Sequence, residues 1–232
     1  MLVSGSEWND LTDSCSCLRL GHLVTLRTWT SGFPRRRIPP KGPAVCSDRA
    51  VGRPPSVSRR LSKIEWVSEL QRLRADHATE ILAFERANRA YFAGFISDRG
   101  DEFFEQFAAR HAALLAEQQA GTSAFHVLVG DDGSVLGRFN LVDIADGTAE
   151  VGYRVAQGAA GRGVATAAVR ELCRLAAEQY GLRTLRAATS SANVASQKVL
   201  TKAGFVPVGP ADPADIGGRP GSWYQRDLPG PC

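Results

Sequence analysis

A run of glycines stands immediately ahead of an amphipathic stretch: Gln157-Gly-Ala-Ala-Gly-Arg-Gly163 is followed by Val164, Ala168, Leu172 and Leu175 at helical spacing. Glycines at such a junction let the backbone turn tightly and aim N–H groups outward, and with a helix N-terminus behind them they bind an anion such as phosphate. Spacing separates the known phosphate loops. Gly158 and Gly163 fit the outer glycines of G-x-x-x-x-G-K-[ST], but Val164 stands where that loop needs its lysine. Gly161-Arg-Gly163 opens G-x-G-x-x-G, yet its third position is Thr166 and no acid ends the next predicted strand to hold a ribose. Both nucleotide loops are therefore excluded. Two further groups carry chemistry: Glu150 on the strand before the loop, and the pair Asn193 and Ser196, one helical turn apart on one face. Asn193 is also a good N-cap.

The elements that must position these groups are read from periodicity. A first strand is expected near Val67–Arg74, with Asp76 as the N-cap of the helix after it. Phe84, Ala87, Tyr91 and Phe95 give one amphipathic helix; Phe104, Phe107, Ala108, His111 and Leu115 give a second, on which His111 reads as a packed histidine. Ala124–Val129, the turn Asp131-Asp-Gly133, Ser134–Ile144, the turn Ala145-Asp-Gly147 and Thr148–Ala156 make an antiparallel meander. The glycine loop and a helix ended by Gly181 come next. After them stand a strand (184–189), a helix (193–202) stopped by Gly204, a strand (205–208), a Pro/Gly/Asp-rich loop and a last strand (222–228). The order is β-α-α-β-β-β-α-β-α-β-β.

Composition limits the function classes. The chain has 232 residues and a net charge of +4. The first 60 residues alone carry +6 and half of the twelve prolines, leaving −2 on the rest. Residues 1–62 read as a disordered basic Pro/Arg-rich extension and 63–229 as one domain. A slightly acidic body argues against direct nucleic-acid binding, and no apolar run is long enough to span a membrane, so a cytoplasmic protein is expected. The five cysteines, an odd number, read as free thiols; Cys173 reads as packed within its helix, not as a nucleophile. No metal-ligand spacing occurs, and monomer and homodimer stay open.

Glu150-Val-Gly-Tyr-Arg-Val155, Gly158-Ala-Ala-Gly-Arg-Gly163-Val-Ala-Thr166, Asn193-Val-Ala-Ser196 and Ala203-Gly-Phe205 together resemble the GNAT superfamily of acyl-CoA-dependent N-acyltransferases, and within it the branch that acetylates N-termini of ribosomal proteins. The family loop is [QR]-x-x-G-x-[GA]; Gly161 and Gly163 match, while its first position is Gly158, with Gln157 displaced by one. The resemblance implies an α/β fold with a mixed, mostly antiparallel central sheet flanked by helices, and acetyl-CoA as co-substrate without a metal. It implies a pyrophosphate on the loop and helix N-terminus, drawing on Gly158, Ala160, Gly161, Arg162, Gly163, Ala165 and Thr166. Tyr153, Arg154 and Val155 would line the pantetheine arm in a splay between two strands, and Asn193 and Ser196 would meet the arm and its thiol. Ser196 is the implied acid for the leaving thiolate, and Glu150 the candidate base for the amine. Phe92, Phe139, Trp223 and Tyr224 are candidate walls for the acceptor. That acceptor is expected to be a protein or peptide α-amine; a small-molecule amine acceptor and a non-catalytic CoA-binding module are the alternatives.

Overall fold

In the computed structural model, residues 2–3 and 68–229 are described. The elements, in chain order, are β1 (Leu2–Val3), β2 (Ser68–Arg72), α1 (Ala78–Ala87), α2 (Arg89–Ala93), α3 (Gly100–Glu105), α4 (Phe107–Ala120), β3 (Ala124–Gly130), β4 (Val135–Ala145), β5 (Thr148–Val155), α5 (Val164–Glu178), β6 (Thr184–Ser190), α6 (Val194–Lys202), β7 (Val206–Ala211) and β8 (Gly221–Asp227). The sheet runs β2-β3-β4-β5-β6-β8-β7, with β1 against β5. Among the described residues only β5 and β6 are parallel; the other pairings are antiparallel, as the meander pattern requires. Apart from Leu2–Val3, the predicted extension 1–62 lies outside the described residues.

Strand alternation assigns two faces. Phe139 and Leu141 of β4, Val151, Tyr153 and Val155 of β5, and Leu185 and Ala187 of β6 join Ala168, Val169, Leu172 and Ala176 of α5 and Val199 and Leu200 of α6 in the main core. On the opposite side Phe125 and Val127 of β3 pack with Ile81, Phe84, Phe92 and Phe107 from α1, α2 and α4. Burying each large side chain in these cores contributes about 1.5–3 kcal/mol.

Three local expectations change. Each of the two predicted amphipathic helices is broken in two, α1 from α2 at Asn88 and α3 from α4 at Gln106. At the first break the Phe84 carbonyl accepts from both the Asn88 backbone N–H (3.2 Å) and the Asn88 side-chain amide (2.8 Å). Asp76 caps nothing: it lies within a 3-10 turn, Ala75–His77, whose N-cap is Arg74, and binds the Arg74 guanidinium at 3.0 Å. His111 is packed as expected, with Nε2 3.0 Å from the Arg74 carbonyl and its ring stacked on Phe107.

One ionic cluster ties the helical layer to the sheet. Glu85 of α1, 2% exposed, accepts from Arg138 of β4 (2.8 Å) and Arg154 of β5 (2.9 Å), and Arg99 stands 3.7 Å away. Removing one partner of such a buried pair costs about 3–5 kcal/mol, because the remaining charge stays desolvated. The cluster therefore fixes α1 over Arg138 and Arg154.

His126 of β3, 2% exposed, has Nε2 3.2 Å from the Tyr180 hydroxyl. Burial pushes its imidazole down to about 4, and burial also lowers His77 and His111. The unfolded chain, with an ordinary imidazole near 6.5, binds more protons than the folded one between these values. Stability is therefore full above pH about 6.5 and falls towards pH about 4, His126 accounting for at most about 3 kcal/mol. Urea denaturation across this range should show the midpoint falling with pH, with a shallower fall in His126→Gln.

Candidate active site

The parallel pairing of β5 and β6 covers only Thr148–Glu150 against Thr184–Arg186. Beyond Glu150, β5 stays bonded to β4 on one side, and β6 beyond Arg186 stays bonded to β8. The strands diverge, leaving two edges with backbone donors and acceptors facing a gap. β1 lies along the β5 edge, with Leu2 opposite Arg154 and Val3 opposite Tyr153, so this edge takes an extended segment through its backbone groups.

The glycine loop closes one end of the gap. Gln157–Ala159 form a 3-10 turn, and the Gln157 N–H donates to Asn88 Oδ1 (2.9 Å), which anchors the loop to the break between α1 and α2. Gly161 (φ 75°) and Gly163 (φ 83°) are left-handed, and Gly163 is the N-cap of the fifteen-residue α5. These are the two positions that match the family loop, and here the backbone itself requires glycine. Space is open beside both, with no heavy atom within 4 Å of where a Cβ would stand. Ala160 and Thr166 are half-buried, Ala165 is buried, and Gly158 and Arg162 are exposed. The helix dipole and first-turn N–H groups of α5 face the loop, adding about 0.3–1 kcal/mol for a bound anion.

On the α5 and α6 side of the gap, Asn193 Oδ1 accepts from the Ser196 N–H (3.1 Å) and caps α6. Ser196 is fully buried, and its Oγ lies 3.0 Å from the Tyr153 hydroxyl. Burial drives the Tyr153 phenol well above its ordinary range, so it stays protonated and available as a donor. Sequence reading placed Tyr153 as a wall and did not couple it to Ser196; their separation of 43 residues hides the pair. Thr189 of β6, 2% exposed, carries an Oγ1 without a hydrogen-bond partner among the described residues on this same face, a further polar group that sequence reading missed.

The other face of the gap holds different chemistry. Glu150, Gly152 and Arg154 alternate onto the side of the sheet that Glu85 and α1 cover, and Asn140 stands opposite Gly152. Glu150 is half-buried beside Arg186 in register. Of the four predicted acceptor walls, Phe92 and Trp223 lie on this side, Phe92 under the Arg154 guanidinium (5.4 Å) and Trp223 under that of Arg186 (4.3 Å). Phe139 and Tyr224 do not: both are buried in the main core, where Phe139 stacks on Tyr153 at 5.8 Å. Alternation puts each one residue out of phase with the face that carries Glu150. A cavity of about 20 Å³ opens between Glu85, Phe92, Asp98, Arg99 and Arg154.

Cys173 is buried, and burial raises its thiol to about 11, so it is no thiolate nucleophile at neutral pH. Among the described residues, no three His, Cys, Asp or Glu side chains group as metal ligands.

Residues 69–206 match the model of the acetyltransferase (GNAT) domain. The chain belongs to the GNAT acetyltransferase family. It is 28% identical over 139 residues, 57% of this chain and 77% of the relative, to the probable N-acetyltransferase YjcK of Bacillus subtilis. Its fold resembles the ribosomal-protein-S5-alanine acetyltransferase of Vibrio fischeri (TM-score 0.64, 21% identity, 69% of this chain and 92% of that one). It also resembles the spermidine N-acetyltransferase of Vibrio cholerae solved with CoA and spermine (TM-score 0.59, 15% identity, 69% and 95%). This GNAT chain is an acyl-CoA-dependent N-acetyltransferase. The diverging edges, the two left-handed glycines and the N-terminus of α5 fit such a co-substrate: edges for an amide-bearing arm, backbone N–H groups for a pyrophosphate.

Gly161→Ala and Gly163→Ala force a Cβ into the left-handed region at about 1–2 kcal/mol each. Titration calorimetry should show acetyl-CoA affinity falling about fivefold or more in either variant. Gly158→Ala, at an ordinary φ with open space around it, should change affinity less than about twofold.

Proposed function

We propose that this chain acetylates the α-amine of a protein or peptide in the cytoplasm, by direct attack of the amine on acetyl-CoA in a ternary complex. The observation that carries the choice of acceptor is the charge of the acceptor face. Among the described residues its ionic cluster sets the guanidiniums of Arg138, Arg154 and Arg99 around one carboxylate, Glu85. With Asp98 and Glu150 on the same side the face carries both signs, which suits a peptide N-terminus, bringing one amine and a run of backbone amides. The ribosomal-protein acetyltransferase of like fold is in keeping with this reading.

The roles then fall on the two faces. The loop from Gly158 to Gly163, with Ala165 and Thr166, holds the pyrophosphate, and Arg162 adds a charge at its rim. The edge at Tyr153, Arg154 and Val155 pairs with the pantetheine arm, and Leu2–Val3 leave that edge when the arm enters. Direct attack needs a neutral amine, an oriented thioester and an acid for the departing thiolate. Ser196, held by Asn193 and Tyr153, is that acid, with the Tyr153 phenol replenishing its proton. Glu150, on the acceptor face, takes the amine proton directly or through a water.

Thiol release from acetyl-CoA is to be followed in the full chain with N-terminal peptides, small primary amines and polyamines. Peptide-dependent release supports the proposal. Release only with small amines transfers the assignment to a small-molecule acetyltransferase, and tight acetyl-CoA binding without release under any amine marks a binding module. Ser196→Ala and Glu150→Gln should each lower kcat by about 10²-fold or more, the range of acid–base assistance, with acetyl-CoA affinity nearly unchanged.

A further inference from the structure

Asn140 stands on the acceptor face of β4, in register with Phe125 of β3 on one side and Gly152 of β5 on the other. It is 4% exposed, and its Oδ1 is buried without a hydrogen-bond partner among the described residues. An unmet carbonyl in such a place is destabilising, and an apolar side chain of the same size would remove the cost. Its neighbour on the same strand face, Arg138, has its partner in Glu85. Gly152, in register with Asn140 on this face, carries no side chain there. Glu150, two residues along the same strand face, marks the point where β5 and β6 part. The missing partner is thus a hydrogen-bond donor, arriving between Asn140 and Glu150 at the mouth of the gap.

We infer that Asn140 orients the acceptor amine and restricts it to primary amines. This rests on the acetyltransferase reading above. In the transfer the amine nitrogen forms a bond to the acetyl carbon while the carbon–sulfur bond breaks; one N–H proton leaves to Glu150, and the thiolate takes a proton from Ser196. A primary amine has two N–H groups. One is lost to the base, and the other, kept in the product amide, is the one that Asn140 Oδ1 accepts. That bond turns the nitrogen lone pair away from Asn140 and towards the gap. A secondary amine has a single N–H, which cannot serve the base and Asn140 together.

The test compares a peptide beginning with Ala and the same peptide beginning with N-methyl-Ala, by kcat/KM in the full chain. The wild type should prefer the primary amine at least tenfold. Asn140→Leu should keep its melting temperature and its acetyl-CoA affinity, lose at least tenfold on the primary amine and change little on the N-methyl peptide, so that the preference collapses. If Asn140→Leu does not fold, the same ratio is read on Asn140→Ala. An unchanged preference, or an equal loss on both peptides, overturns the inference and leaves the functional reading standing. A wild type that binds acetyl-CoA but acetylates no amine overturns the functional reading and this inference with it.

Discussion

The parallel contact between β5 and β6 lasts three residues on each strand, and what the molecule can do depends on its ending there. Up to Glu150 the two strands share hydrogen bonds; beyond it they no longer pair with each other, β5 being held by β4 and met on its other edge by Leu2–Val3, and β6 being held by β8. A sheet interior normally has no unpaired edges, because unbonded backbone groups are costly away from water. Here the two strands part inside the sheet, and the β5 edge is met by only the two residues of β1. The gap is thus a backbone-lined slot with fixed walls, suited to an extended amide-bearing arm.

The same divergence divides the chemistry between two faces. The α5 and α6 face carries the glycine loop, Asn193, Ser196 and Tyr153. The opposite face carries Glu150, Asn140 and the Glu85 cluster, beneath α1 and α2. Because adjacent residues of a strand point to opposite faces, Tyr153 and Arg154 stand on different sides of the sheet while being neighbours in sequence. Asn88 couples the two: its side-chain amide donates to the Phe84 carbonyl at the end of α1 and accepts from the Gln157 N–H at the start of the glycine loop. Rigidity at the loop therefore depends on the helix break that shapes the acceptor side.

Family membership sets the reaction, while the acceptor is set by groups outside the shared motifs. GNAT chains of like fold include one that acetylates a ribosomal protein and one solved with spermine, so the common scaffold does not choose between them. In this chain the choice falls to the residues over β4 and β5. There the guanidiniums of Arg138 and Arg154 surround Glu85, and Asn140 carries an unmet Oδ1 among the described residues.

By itself the sequence determined the strand order from β2 onward, the meander, the helix that Gly181 ends, and the glycines at 161 and 163. These are local matters: period-2 and period-3.6 patterns, turn residues and left-handed positions leave their mark within a few residues. Together with Asn193, Ser196 and the Gly-Phe pair, they carried the family as well. Tertiary structure alone decided which face each strand residue served. Glu150 was placed on the side of the sheet that α1 covers only once Arg154 met Glu85 of α1, and Phe139 and Tyr224 moved into the core because alternation gives parity but not direction. The helix breaks at Asn88 and Gln106 were invisible because an amphipathic stripe runs through each without interruption. Tyr153 with Ser196, and Glu85 with Arg138 and Arg154, join residues 43 to 69 positions apart, and no local pattern records a contact that exists only after the sheet has closed.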